Sequence, residues 1–508
     1  MGALQRSDTE RMNYPNSISL RRSSRLPQYV LWVFLLLSSG IPRILAAFLL
    51  PNEEGDPYSY LQAIEMMRAS IAGGTFTLSE LFGFWLPLYQ FICALISVVV
   101  GHPLYVAKLV SALCGTGVCL LVFQVSMQLT ANRMLSLLAF ALIALNPIHI
   151  MYSAFSMSDV PHALMVLGSL YFAIKDRWVL AASLVAAGGL MRPESWVFVA
   201  LLPALQWFLH RRVSLIAFFV ALSAPVVWIY ISWAATGDPL EYFKVRNDYI
   251  RELLSENPGL ADFSPSHVLP DLRTLLYSAG PAVVIACLIA AWLLIKHTGG
   301  QPSERPSKSS SAVVVTVAYL FSSLGFLLFA YFTKNQPAIF ARYCLVLFAL
   351  GLPILSWTFL AARKWKPAWA LRLSVVLVVL SLWQLAFQLR DGALFINHVS
   401  QKRIVAKYLR DKFQTSSGFK IFCDDDTVRV LAGIPADSFV SSSSSPGDSK
   451  SFLGYLRENR VEYLVYERRD RSAVVPLFRD LGEERMNDLF QLVASTNVDL
   501  RLYRTVFQ

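Results

Sequence analysis

The chain has 508 residues, 55% of them hydrophobic and 16% charged, against about 25% charged in an ordinary soluble chain. Its mean hydropathy of +0.49 excludes a water-soluble globule, because that much apolar surface needs a bilayer to face. The formal net charge of +11 does not indicate nucleic-acid binding. Lys and Arg fall in short clusters between apolar runs, as cytoplasmic loops do, and form no stripe with interleaved aromatics.

Residues 1–27 hold five Arg and two acidic residues and read as a basic cytoplasmic tail. The apolar stretch from Gln28 is too long for a signal-peptide core and shows no clear cleavage site, so it is expected to remain as the first span. About eleven spans are predicted, near 28–50, 103–127, 135–152, 160–174, 178–191, 195–209, 213–234, 273–296, 312–332, 341–361 and 369–389, each from an apolar run matched to a core about 30 Å thick. Segment 85–101 is apolar too and is read as dipping into the outer leaflet without crossing. With that parity the segments 128–134, 175–177, 210–212, 296–311 and 362–368 are cytoplasmic, and all carry Lys or Arg, as the positive-inside rule requires.

Spans 178–191 and 195–209 are short and separated by Met191-Arg192-Pro193-Glu194, so they need tilt or burial. Loop 235–272 is long and rich in Pro, and is expected to fold over the outer face. Segment 297–311 reads as a polar cytoplasmic linker. From about 391 the composition turns soluble. Strands are predicted at 419–423, 461–467 and 500–506, and helices at 405–413, 452–459 and 485–493, with a Ser tract at 441–445. The expected architecture is an α-helical polytopic membrane domain over 28–390 with a small extracytoplasmic α/β domain over 391–508. The six cysteines, Cys93, Cys114, Cys119, Cys287, Cys344 and Cys423, form no CxxC, and no disulfide framework or zinc site is readable.

Three groups of residues carry candidate chemistry. The first outer loop reads Pro51-Asn52-Glu53-Glu54-Gly55-Asp56-Pro57-Tyr58-Ser59-Tyr60. A carboxylate there, Asp56 before Glu53 or Glu54, is placed to act as a general base at the membrane surface. Asp56 with Pro57 is also a good helix start. The second group is Ser158-Asp159-Val160-Pro161-His162, on the same side by the chosen parity. Asp159 with a carboxylate of the first loop would hold an acceptor or a divalent cation, His162 being a further ligand candidate. The third is Arg43, Arg192 and Arg342 at outer span ends. Guanidinium suits bidentate phosphate binding; the alternatives are snorkelling, or pairing of Arg192 with Glu194. Asp424-Asp425-Asp426 has DxD spacing but reads as a polar strand-end loop.

The ordered set Pro42-Arg43, the acidic first loop with Tyr58 and Tyr60, Trp85-Leu86-Pro87-Leu88-Tyr89, Leu142–Asp159, Gly188–Glu194 and Phe340-Ala341-Arg342-Tyr343 resembles the GT-C glycosyltransferases. The likeness is to the bacterial group akin to protein O-mannosyltransferases and aminoarabinose transferases. It departs from that group where many relatives have two adjacent acids, since Asp56 is followed by Pro57 and Glu53-Glu54 lie upstream. The resemblance implies a polyprenyl-phosphate sugar donor, inversion at the anomeric carbon, and an acceptor glycan, lipid or protein outside the cytoplasm. Asp56 and Asp159 would be catalytic, Arg342, Arg192 and Arg43 would bind phosphate, and Glu53, Glu54, Tyr58, Tyr60, His162, Glu194 and Tyr343 would line the substrate. No particular cofactor is indicated, and a divalent cation stays open. No N-x-[ST] sequon occurs, which favours a bacterial cytoplasmic membrane over an endoplasmic reticulum. The rival readings are a secondary transporter, for which no internal repeat is evident, and a scaffold without catalysis.

Overall fold

The computed structural model describes residues 28–52, 55–256, 265–298, 308–336, 338–365, 367–415, 419–423, 425–440, 449–467, 488–495 and 500–506. The basic tail, Glu53, Glu54, Asp424 and the Ser tract lie outside the described residues. The membrane part is a bundle of α1 (Gln28–Leu49), α2 (Asp56–Gly73), α3 (Leu88–Val100), α4 (Pro103–Thr130), α5 (Arg133–Ala144), α6 (Pro147–Ser153), α7 (Asp159–Ile174), α8 (Trp178–Gly189), α9 (Val197–His210) and α10 (Leu215–Thr236). It continues with α11 (Glu241–Glu256), α12 (Pro265–Ala279), α13 (Pro281–Thr298), α14 (Lys308–Phe332), α15 (Leu345–Trp365) and α16 (Pro367–Thr415).

Five stretches, Gln28–Leu49, Pro103–Thr130, Leu215–Thr236, Ser311–Phe332 and Ala341–Arg363, are long and apolar enough to cross a membrane, or seven if two bent pairs each count as one span. This measure does not reach the expected count of eleven among the described residues, where shorter apolar helices stand beside the long ones. Helices α7, α8 and α9 have 16, 12 and 14 residues. At 1.5 Å per residue they reach only about 18–24 Å. The 13 residues of α3 reach about 20 Å, in keeping with an apolar segment that does not cross alone.

The bends have local causes. The predicted span 135–152 is α5 and α6 turned by 62°. The chain breaks at Asn146-Pro147, where Asn146 Oδ1 accepts the His149 backbone N–H at 2.8 Å and so caps a new helix, a stabilisation of about 1 kcal/mol. Predicted span 273–296 is α12 and α13 turned by 83° about Gly280, whose φ of +86° is comfortable only for glycine.

Helix α4 is the hub, packing on α1, α3, α5, α6, α7, α14 and α15. Lipid is as apolar as Leu, so such contacts depend on close backbone approach rather than on escape from water. Gly115 and Gly117 provide that approach: a Cβ on Gly115 would lie 2.2 Å from Ser153 Oγ, and one on Gly117 2.8 Å from Leu164.

Arg43 does not reach an outer phosphate, contrary to the sequence expectation. It is fully buried in α1 and donates to the backbone oxygens of Ser39 at 2.8 Å, Ile143 at 3.0 Å and Ala144 at 3.3 Å, and contacts His149 Nδ1 at 2.8 Å. The break after α5 leaves the last carbonyls without their i+4 helical partners; Ile143 keeps a 3.3 Å bond from the Asn146 N–H, and the Arg43 guanidinium donates to both Ile143 and Ala144.

The expected boundary at 391 falls inside one continuous helix, since α16 runs 49 residues from Pro367 to Thr415. Beyond it the described residues form a five-stranded mixed sheet of order β2-β1-β3-β5-β4, from β1 (Lys420–Cys423), β2 (Phe439–Val440), β3 (Val461–Glu467), β4 (Phe490–Ser495) and β5 (Leu500–Thr505). Strand β1 runs parallel to β2 and β3, and the remaining pairs are antiparallel. Val405, Ala406 and Leu409 of α16 with Val428 and Ala432 of α17 (Asp426–Ala432) form one core with the sheet. Phe452 and Leu456 of α18 (Ser449–Glu458) form the other. The helix expected over 485–493 is corrected for 490–493, which belong to β4. Its bulky Phe490 is buried and pairs with Thr505, so sheet burial overrides local helical propensity.

Candidate active site

Asp56 and Asp159 each open a helix, one residue inside the position expected for a cap. The caps are Gly55 and Ser158, neither of which makes a side-chain cap bond. Gly55 adopts φ +81° and ψ −118°, a conformation costly for any residue with a Cβ. Both carboxylates are thus free of capping duty, and both sit in a first helical turn, where the helix dipole favours negative charge.

Each acid meets an arginine. Arg342, in the 3-10 turn Ala341–Cys344 ahead of α15, places Nη1 at 2.6 Å from Asp56 Oδ2. The chain before that turn is held by Asp271, whose Oδ1 accepts the Ile339 N–H at 3.1 Å. Arg192, between α8 and α9, donates to Asp159 Oδ1 at 2.7 Å and to Glu194 Oε1 at 2.9 Å. The two guanidiniums flank one ring, lying 5.1 Å and 5.2 Å from the Tyr343 centroid, within cation–π range. Burial would raise the Glu194 carboxyl, but the Arg192 charge overcomes it and holds Glu194 down at about 2.

Tyr60 donates to or accepts from Ser158 Oγ at 2.8 Å and packs on Trp85 at 4.9 Å between ring centres, tying the two acidic loops together. Asn52 adds a second tie, with Nδ2 to Ser156 Oγ at 3.1 Å and Oδ1 from the Ser156 N–H at 3.0 Å. These elements enclose a cavity of about 590 Å³ lined by Asp56, Arg192, Glu194, Arg246, Arg342 and Tyr343, among others. That volume is typical of a small-molecule site. A side pocket of about 50 Å³ adjoins it, bordered by Asp159, His162 and Ser323. Among the described residues, Asp159 Oδ2 and Glu194 Oε2 are buried without a hydrogen-bond partner.

The cavity therefore gathers Asp56, Tyr60, Arg192, Glu194, Arg342 and Tyr343, with Asp159 and His162 on its side pocket. Tyr58 is not on its wall; it is buried in the aromatic cluster of α2 and α3. His162 Nε2 is engaged by Ser195 Oγ at 2.8 Å, so it supports the Arg192 turn. Among the described residues no group of three His, Cys, Asp or Glu side chains comes together as a metal site. The Arg192 guanidinium lies between Asp159 and Glu194.

Arg246 escaped the sequence reading. It stands on α11, in the loop expected to cover the outer face, and lines the cavity with Tyr242, Tyr249 and Leu253. Its Nη1 reaches Tyr242 Oη at 3.3 Å, and among the described residues it makes no ion pair with a carboxylate. The signal was the helical spacing of Tyr242, Arg246, Tyr249 and Leu253, which puts these side chains on one face.

The helices and this cavity define a multi-pass helical membrane protein with a polar, arginine-rich chamber, and its fold is similar to that of solved structures. Among solved structures it matches ArnT from Cupriavidus metallidurans bound to undecaprenyl phosphate, with a TM-score of 0.56 and 13% identity over 94% of this chain and 99% of that one. The apo state of the same protein gives 0.53 at 13% identity over the same shares. The oligosaccharyltransferase AglB from Archaeoglobus fulgidus, in complex with an inhibitory peptide and a dolichol-phosphate, aligns over 86% of this chain and 69% of that one at 12% identity, with a TM-score of 0.49 too low to build on. No protein-family model matches the sequence, and no curated protein does. At these identities the likeness establishes the fold.

Proposed function

We propose that the chain is a membrane glycosyltransferase that moves a sugar from a polyprenyl-phosphate carrier to an acceptor hydroxyl. One observation carries this reading: a carboxylate, Asp56, and three guanidiniums, Arg192, Arg246 and Arg342, line a single cavity. The chemistry needs that combination. The acceptor oxygen attacks the anomeric carbon as its proton passes to Asp56, and the bond from that carbon to the phosphate oxygen breaks with its electron pair on the phosphate. A single displacement of this kind inverts the anomeric centre. Guanidiniums stabilise the charge that develops on the leaving phosphate, which is where a preorganised site gains most. Asp159 and Glu194 hold Arg192 in place, and Tyr60 and Tyr343 wall the sugar. The acceptor is a glycan, a lipid or a protein, and the site faces the periplasm or exterior of a bacterial cytoplasmic membrane.

The test is turnover of purified protein with a panel of polyprenyl-phosphate sugars, read by mass spectrometry of the carrier and the product. Asp56→Asn removes the base and is expected to lower turnover by about 100-fold or more, with donor binding retained. Asp159→Asn is expected to weaken donor binding as well, through Arg192. A protein that consumes no carrier yet moves substrate across vesicles would be the transporter instead.

A further inference from the structure

The first loop is gripped from two sides, and the second grip comes from the C-terminal domain. On the membrane side Asn52 is locked to Ser156. Three residues on, the Gly55 N–H donates to Thr427 Oγ1 at 3.1 Å. Thr427 is 1% exposed and stands in the first turn of α17. Val430 and Leu431 of that helix pack on the aromatic cluster of α2 and α3. The start of α17 is fixed in turn. Asp425 Oδ1 accepts the Val428 N–H at 2.8 Å, and its other oxygen pairs with Lys402 of α16, itself only 2% exposed. Lys402, Asp425 and Thr427 all reach the wall of the same cavity as Asp56.

We infer that Thr427, set by the Lys402–Asp425 pair, is a positioning residue for Asp56: its hydroxyl holds the Gly55 amide and so fixes where the carboxylate of the next residue points. The inference rests on the reading of Asp56 as the base. Gly55 lacks a side chain that could pack and sits at φ +81°, so its orientation depends on bonds made to its backbone. A misplacement of about 1 Å at a reacting group costs roughly 100-fold in rate, which makes this hydroxyl matter beyond its share of the packing.

The experiment uses the full chain in detergent or nanodiscs. Thr427→Val keeps the shape and removes the acceptor; Thr427→Ser keeps the acceptor. With Thr427→Val the turnover number is expected to fall about 10–100-fold with the donor KM unchanged and the melting midpoint preserved, and Thr427→Ser is expected to recover most of the rate. In the same samples, hydrogen–deuterium exchange of a peptide covering 55–60 should gain one fast amide in Thr427→Val only. The inference is overturned if Thr427→Val turns over normally where Asp56→Asn is dead, or if its exchange is unchanged. It is overturned too if Thr427→Val and Thr427→Ser fall together with loss of protection throughout α2, the mark of a packing role. Should Asp56→Asn remain fully active, the base assignment fails by itself, and the exchange measurement still decides whether Thr427 holds the loop.

Discussion

Arg192 holds two carboxylates at once while lying against Tyr343, and only a planar guanidinium can do all three. Glu194 belongs to this arrangement, and its low carboxyl value, about 2, has a sign that can be worked out. A carboxylate depressed in the folded state contributes stability above its unfolded value of about 4.3, and that contribution is lost as pH falls from there through about 2. The difference in melting midpoint between the native protein and Glu194→Gln should therefore be constant from about pH 8 to 5 and shrink below about pH 4. A difference that varied near neutral pH would mean that Glu194 is not held by Arg192. At this scale the sequence was informative where charge is expensive: Asp56, Asp159, Arg192 and Arg342 stand out because ionisable groups beside apolar runs need a reason. The same signal misled at Arg43. Hydropathy reports position along a span but not the face of the helix, and Arg43 faces the break after α5. Arg246 was missed for the opposite reason, since a charged residue in a polar helix such as α11 attracts no notice.

Helices were legible as apolar runs, and their ends much less so. The turns at Asn146-Pro147 and Gly280-Pro281 carry breaker residues that a reading by window hydropathy averages away. What no sequence pattern displayed was the contact that makes a small residue necessary. Gly115 in α4 faces Ser153 of α6 and Arg43 of α1, three elements that meet only in the folded bundle. Gly115→Ala would push a methyl into Ser153 and is expected to destabilise by about 1–3 kcal/mol, seen as a lower melting midpoint in detergent. Gly325→Ala in α14, where nothing lies within 4 Å of an added Cβ, is the control and should leave the midpoint unchanged or raise it slightly, since Ala suits a helix interior better than Gly. An equal response at the two sites would dismiss close α1–α4–α6 packing as the reason for Gly115.

Across the whole molecule, the segments 175–177 and 210–212 come together: Asp176 and His210 pair at 2.9 Å, as expected of two loops on one membrane face. The sequence placed both by positive charge on the side opposite Asp56. Single cysteines introduced at Asn335, exposed at the cavity rim, and at Arg212, exposed beyond α9, should react with a membrane-impermeant thiol reagent from opposite sides of sealed vesicles. Reaction of both from one side would sink the orientation and with it a chamber outside the cytoplasm. The junction to the C-terminal domain was the least legible feature at this scale. Composition changes near 391, but the backbone does not: α16 carries on unbroken to Thr415 because residues such as Val405 and Leu409 have a sheet core to enter. A sharp change in polarity thus falls within a continuous helix.

The Asp56–Arg342 pair bears on timing. The carboxylate that would accept a proton is paired with the guanidinium that would meet the phosphate. On the proposed reading, the donor's phosphodiester, a monoanion until the sugar leaves, would compete for Arg342 and release Asp56 only once it is seated. On that reading the base would be masked until the ligand whose sugar it serves displaces its partner.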